Sequence, residues 1–531
     1  MRKTIVCLTT VVLIFSVFAM SSMGAANHQG GGTTGEDITY SGINLTGYHW
    51  VYIDSDDWGI HNPWNPANVT ELDYLVDVLG VYNKGFWGQS TLESVDDMDD
   101  LFAVLAKHNA PMTVNFVMEM IDGPEMMANG FTEYAGIPIN DSEWYEQTKY
   151  NSSGPNYRGN INEKWVEGYT KGYWLPQYHG RLHAEPSWYL QNCSEGCKTT
   201  IDCVVNYSQF FLKLPGETAY PLPGGDYCYN PIRTVELGEC NISTQDSYDN
   251  ISIGLAEFYD LFGFYPETIV AGNYLVSNNT LAAFRNTTIY GVTSAPGMGY
   301  DLITGLSVNW GWYVFDYFDG ISLIDRQILL DGSNITHLTT KMNAINTSFE
   351  RGQLAAIIAH KTNYVSAIRD IIAPGERESA LELLDALLTA IVTHYPDVWF
   401  LTSPEVHQLN IRGYSQQNWT REVVVRNAIN NTMSIIVDLP PGWDSNVVTV
   451  TNSSGVSEDF EKGDSRTITL DVPHNETFTV HRNISNSPNY PTYDFSAVQA
   501  AVVAAVAVII ITSVVFKGLI GPISKSFGRN S

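Results

Sequence analysis

The sequence predicts an α/β chain: an incomplete (β/α) barrel, then a small β-sandwich, then one transmembrane helix. Three observations carry that expectation. Strand and helix patterns alternate from Val51 to Leu401, the order that builds a parallel sheet with covering helices. Between Glu422 and Val480 the grammar changes to short runs of alternating apolar residues separated by Pro, Gly and Asn-Ser turns. Residues 495–516 are uncharged and mostly apolar, long enough to cross a bilayer core of ~30 Å.

Taken in order, residues 1–26 have the three regions of a secretory signal peptide. Arg2 and Lys3 precede an apolar run, and Gly24, Ala25 and Ala26 supply the small residues of a cleavage site. The barrel domain is expected over residues 37–410. Its first strand is Val51-Tyr-Ile-Asp-Ser-Asp-Asp-Trp-Gly59, closed by Gly59. Residues 92–108 space their apolar side chains as a helix does, Asn109-Ala110-Pro111 stops it, and 112–118 is the second strand. A Gly-, Asn-, Tyr- and Trp-rich insertion fills 119–173. Helical patterns recur at 254–262, 281–284 and 376–395, and strand patterns at 267–271, 289–293, 321–323, 354–359 and 398–401. The β-sandwich is assigned to 411–483 and a polar linker to 484–494. Lys517, Lys525 and Arg529 follow the apolar span, so the tail 517–531 is expected to be cytoplasmic and the chain a single-pass type I protein of the cell membrane with its large domain outside.

Composition agrees with export. N-x-S/T occurs at seventeen positions from Asn44 to Asn483, all between the two apolar ends, as in a glycosylated ectodomain. Cys193, Cys197, Cys203, Cys228 and Cys240 crowd one segment without a C-x-x-C pair, which favours disulfides across an insertion over a zinc cluster. The net charge of −29 would repel phosphate and argues against nucleic acid as a partner. With 44% hydrophobic and 12% aromatic residues the chain has ample core.

Chemistry concentrates at the end of the first strand. Asp54, Asp56 and Asp57 are crowded there, and carboxylates so placed need a cation or a shared proton. In barrels of alternating strands and helices, reacting groups collect at that end. A second stretch, Trp174-Leu-Pro-Gln-Tyr-His179-Gly-Arg-Leu-His183-Ala-Glu185, carries two histidines four residues apart; on a helix starting near His179 both rings would share a face. A His pair plus a carboxylate is the ligand set of a catalytic metal. Two histidines hydrogen-bonded to a loop would look the same in sequence.

Asp56-Asp57 after an apolar strand, His179-x-x-x-His183, and Leu354-Ala-Ala-Ile-Ile-Ala-His360 together resemble the polysaccharide deacetylase (NodB-homology) superfamily. The wordings Ile53-Asp-Ser-Asp-Asp-Trp-Gly59 and Pro176-Gln-Tyr-His-Gly-Arg-Leu-His183 are similar to a larger branch of it, and the resemblance spans roughly residues 45–405. It implies a barrel of deacetylase type, with Asp57, His179 and His183 holding a divalent metal such as zinc, Asp56 as general base and His360 as general acid. Asp54 could orient a neighbour or cap the loop, and the cap is the expectation. Many members carry an Arg in a third motif, R-x-P. The comparable stretch Gly263-Phe-Tyr-Pro266 has none, which leaves the orientation of Asp56, or the substrate, open.

The expected function is a metal-dependent hydrolase that removes an acyl group from a cell-surface or extracellular carbohydrate. A glycoside hydrolase using carboxylates such as Asp56 and Glu185 is the alternative, with an inactive carbohydrate-binding surface protein as the third reading. Trp144, Trp165, Tyr169, Tyr173, Trp174 and Trp188 could stack on sugar rings or simply fill the core.

Overall fold

The structure is a computed structural model that describes residues 48–59, 92–139, 159–182, 190, 244–272, 276, 278–294, 299–301, 306–308, 315–318, 320–365, 374–440, 443, 447–461 and 466–482. The segments expected as signal peptide (1–26) and linker (484–494), the cysteine-bearing segment and the apolar run at 495–516 lie outside them. Among the described residues no helix is long and apolar enough to cross a membrane.

The chain divides into two compact units, Met1–Gln417 with Asn427–Asn430, and Asn418–Arg426 with Asn431–Ser531. In the first, the elements are β1 (Trp50–Trp58), α1 (Val95–His108), β2 (Met112–Val117), α2 (Ile161–Lys171), β3 (Trp174–Gly180), α3 (Thr244–Phe262), β4 (Thr268–Val270), α4 (Asn278–Phe284), β5 (Gly291–Ser294), β6 (Ile321–Asp325), β7 (Ile328–Leu329), α5 (Leu338–Glu350), β8 (Ala355–His360), α6 (Glu376–His394), β9 (Trp399–Leu401) and α7 (Ser403–Arg412). Local chemistry sets the helix ends. Ser94 Oγ accepts the Asp97 amide while Asp97 accepts that of Ser94, a reciprocal cap on α1. The buried Met98, Leu101, Phe102 and Leu105 repeat at the spacing of one helical face, and Asn109 at φ 48° ends the helix.

The sheet runs β6-β5-β4-β3-β2-β1-β8-β7, with Phe315–Phe318 antiparallel on the outer edge of β6; every other pair in this path is parallel. β6 and β7 stand at opposite ends of this order, yet only Arg326 and Gln327 separate them in sequence. The Arg326 amide donates to Ser294 O beside β5, and the Gln327 amide donates to Ala356 O in β8. One extended segment therefore spans both margins of the curled sheet. Counting that segment once, the path has seven parallel staves among the described residues, in keeping with the incomplete (β/α) barrel that the alternation predicts. β9 pairs with the first residues of β1, on the edge that β2 takes higher up.

Two cores result from the period-two alternation of β1. Val51 and Ile53 face outward to a large cluster beneath α1, α2, α3, α5 and α6. Trp50 and Tyr52 face inward and pack with Ile324, Ala356, Leu401, Val406 and Leu409, the last two from α7. Asp54 and Asp56 continue the inward row, so carboxylates stand directly above an apolar plug. The second unit contains strands at Glu422–Asn427, Met433–Asp438, Val447–Asn452, Ser457–Glu461, Thr467–Val472 and Glu476–Arg482. Met433–Asp438 pairs antiparallel with Thr467–Val472, and Val447–Asn452 with both Ser457–Glu461 and Glu476–Arg482.

One expectation needs correction, and one open alternative is decided. Residues 174–180 form a strand, so His179 sits on β3 and not on a helix; Gly180 at φ 116° turns the chain immediately afterwards. Trp165 and Trp174 are wholly buried beneath the helices, edge-on to Phe116, and so are core residues rather than sugar platforms. Tyr169 stacks on Phe264 at 4.5 Å. Trp144 and Trp188 lie outside the described residues.

Candidate active site

The site assembles at the C-terminal ends of β1, β3 and β8. Strand register alone brings the first two groups together, because Asp56 of β1 pairs directly with His360 of β8. Asp57 breaks the alternation. At φ 71° it adopts a left-handed backbone that a non-glycine residue rarely takes, and this swings its carboxylate to the same end as that of Asp56. Gly59, at φ 78°, follows; a Cβ there would lie 2.6 Å from Val117 O, so only glycine fits the turn.

His179 Nε2 stands 3.1 Å from Asp57 Oδ1, and its Nδ1 donates to Val270 O at 2.6 Å. With the proton on Nδ1 committed to that carbonyl, a neutral imidazole would aim a lone pair at a carboxylate. Something positive must lie between them, either a proton or a metal ion. Burial alone would lower the His179 pKa, but the Asp57 hydrogen bond and the Asp56 charge outweigh it and raise it. Imidazole nitrogen held by a backbone carbonyl, next to a carboxylate oxygen, is a donor set that suits zinc. His183, the third expected ligand, lies outside the described residues, as does Glu185. Among the described residues no cluster of three or more His, Cys, Asp and Glu side chains is arranged as a metal site.

Asp56 is clamped by a residue that sequence reasoning missed. Arg326, wholly buried at the β6–β7 crossing, donates from Nη1 and Nη2 to the two Asp56 oxygens at 2.9 and 2.8 Å, and from Nη1 to Asp54 Oδ2 at 3.0 Å. Asn115 Nδ2 donates to both carboxylates, 2.8 Å from Asp56 Oδ1. Burial would push the Asp56 carboxyl upward, but Arg326, His360 and His179 together hold it below the usual carboxylate range. Asp54 is not the loop cap expected of it. It is wholly buried, accepts from the Tyr52 hydroxyl, and is pushed up to about 6 by burial, Arg326 opposing and Asp56 adding. The stretch Gly263-Phe-Tyr-Pro266 has no Arg, and it is Arg326, from later in the chain, that orients Asp56.

His360 Nε2 faces Asp56 Oδ2 at 3.7 Å, while its Nδ1 donates to Asp331 Oδ2 at 2.7 Å. Asp331 also accepts the His360 amide at 2.9 Å and Asn363 Nδ2 at 3.1 Å. Burial would depress the imidazolium, but the charges of Asp331 and Asp57 override it and raise the pKa to about 9. Asp331 was also missed. Both signals were faint in sequence: an Asp-Arg ending a buried strand, and an Asp-Gly after the apolar pair Leu329-Leu330.

The arrangement has two halves, Asp57 beside His179 and an Asp56 held low in pKa beside a His360 held high. No protein-family model and no curated protein matches the chain. Among solved structures it is similar to a candidate polysaccharide deacetylase from Mycobacterium smegmatis, at 9% identity and TM-score 0.33 over 68% of this chain and 88% of that one. It is also similar to a candidate glycoside hydrolase/deacetylase from Parabacteroides distasonis, at 12% identity and TM-score 0.36 over 81% and 83%. A third is the Xyl-CE4 domain of a multidomain xylanase from the hindgut metagenome of Trinervitermes trinervoides, at 8% identity and TM-score 0.28 over 70% and 96%. At such scores the likeness is one of outline, and the chemistry below rests on the side chains.

Proposed function

We propose that this chain is a metal-dependent hydrolase of the polysaccharide deacetylase type, removing an acyl group from an N- or O-acylated carbohydrate, and that it works outside a membrane to which its C-terminal segment anchors it. The observation that carries the reading is the juxtaposition of an ionised Asp56, clamped by Arg326, with a protonated His360 on the adjoining strand, beside Asp57 and His179. The anchoring rests on the sequence alone.

Asp57, His179 and His183 would hold the ion. A divalent ion such as zinc, when bound there, polarises an acyl carbonyl and draws the pKa of a water down towards ~7. Asp56 takes the proton of the attacking water on Oδ2, which faces His360, while the two Arg326 contacts keep the group ionised. The acyl C–N or C–O bond then breaks, and His360 Nε2 gives its proton to the departing amine or alkoxide. Asp331 on Nδ1 fixes the tautomer and steadies the imidazolium.

The test is acetate release from acetylated glycans by the full-length protein, with and without chelator, beside Asp56→Asn. The reading expects loss on chelation, recovery with zinc, and a drop of roughly 10²–10⁴-fold for Asp56→Asn. Full turnover by the chelated protein, or by Asp56→Asn, would overturn it.

A further inference from the structure

Asp57 and His179 both sit where a neighbour of β2 carries a surplus residue. In β1, Ser55 aligns with Val114 and Trp58 with Phe116, so three steps of β1 answer two of β2, and Asp56 and Asp57 lie in the surplus. In β3, Tyr178 aligns with Phe116 and Gly180 already with Val117, so His179 is the extra residue. β2 is thus a common template, and each neighbour bulges against it where it presents a group to the site. Bulges are rare between parallel strands and frequent beside active sites, where they re-aim a side chain. They do so only while the pairing on either side keeps its register.

The bulge in β1 is followed at once by Gly59, which stands against Val117 O. That in β3 is closed differently. Beyond His179, the Met118 amide donates to Gly180 O at 3.1 Å and the Glu119 amide to Arg181 O at 2.8 Å. Glu119 and Arg181 are then joined a second time through their side chains, Arg181 Nε donating to Glu119 Oε1 at 2.6 Å. Glu119 is buried and accepts the Tyr134 hydroxyl on Oε2 at 2.9 Å. Gly136 lies against that same oxygen, where a Cβ would strike it. Arg181 covers the Tyr134 ring, 5.0 Å from its centre, and reaches Asn250 Oδ1 of α3 from Nη1 at 3.3 Å.

Stability does not call for charges at this place, because taking them out of water is costly and apolar replacements of similar size often serve as well. What the pair supplies is register. An apolar contact can slide by a residue, whereas a guanidinium seated on one carboxylate holds its place. We propose that Glu119 and Arg181 are positioning residues whose ion pair locks the β2–β3 register just beyond the His179 bulge, and so keeps the imidazole facing Asp57. The consequence for metal binding rests on the reading under Proposed function; the lock on His179 does not.

The test is a cycle of full-length proteins: wild type, Glu119→Met, Arg181→Met and E119M/R181M. Zinc affinity is read by competition with a chromophoric chelator, and folding by urea titration. Access to His179 is read in metal-free protein by deuterium uptake at the ring C2 position, measured by mass spectrometry. Each single change should weaken zinc binding roughly tenfold or more, and the double change no further, because the two side chains act as one lock. Uptake at His179 should rise severalfold, while that at His407, buried lower in the barrel, stays as in wild type. Wild-type zinc affinity in the folded double variant, or losses that simply add, overturns the proposal. Should wild type itself take up no zinc, the metal-dependent reading fails, and uptake at His179 decides the lock alone. A rise in the variants then sustains it, and unchanged uptake overturns it. If a single variant does not fold, the double one, which strands no charge, is read against wild type; if that too fails, E119Q/R181M takes its place.

Discussion

Asp331 sets the state of His360 through one hydrogen bond and one charge, and both can be removed without changing the size of the side chain. In Asp331→Asn the imidazolium should fall from about 9 towards its ordinary ~6.5. The alkaline limb of the kcat/KM profile should move down by one to two pH units while the acid limb, set by Asp56, stays put; a coincident profile would remove Asp331 from the chemistry. The same shift has a stability side. The folded state holds the His360 proton up to about pH 9, the unfolded chain only to ~6.5. Its contribution is therefore fully present below ~6.5 and is lost as pH rises through about 9. In metal-free protein, the urea midpoint of wild type should fall across that window more steeply than that of His360→Gln. Arg326 carries the larger consequence. Arg326→Met strands two buried carboxylates, a cost of roughly 3–5 kcal/mol in urea unfolding. Arg326→Lys keeps the charge but cannot fork across both, and should recover only part of that loss.

Among the elements, β1 and β3 show how the same strands serve core and site. Odd residues of β1 feed the outer core and even ones the inner, until Asp57 breaks the rule. β3 gives Trp174 to the outer core and His179 to the site. Trp174→Ala should therefore cost about 3–5 kcal/mol by cavity formation while leaving KM for an acylated glycan near wild type. A raised KM with unchanged stability would instead make it a sugar platform. The strand at 174–180 was hard to read because Pro176, Gln177 and Tyr178 hide its apolar faces, and an H-x-x-x-H spacing suits a helix. Pairing with β2 from Met112–Trp174 onward overrides that local signal.

For the whole molecule, the surplus of carboxylates is the governing charge feature. At a net −29, self-repulsion opposes the compact state, and salt screens it within a Debye length of ~10 Å at 0.1 M. Raising NaCl from 10 mM to 0.5 M should lift Tm, and a flat or falling Tm would show that ion pairs such as Lys107–Asp385 outweigh the repulsion. Periodicity and turn residues by themselves determined the alternating barrel, the change of grammar after Arg412, and the carboxylates at the end of β1, because these signals lie within a few residues of one another. The resemblance in motifs singled out Asp56, Asp57, His179 and His360, which the fold brings to one end of the barrel. Only the tertiary structure decided what surrounds them. Nothing near Arg326, Asn115 or Asp331 in sequence points to their partners, which lie as much as 272 positions away. A charge buried in a strand looks like a fault until the sheet curls and sets its counter-charge beside it.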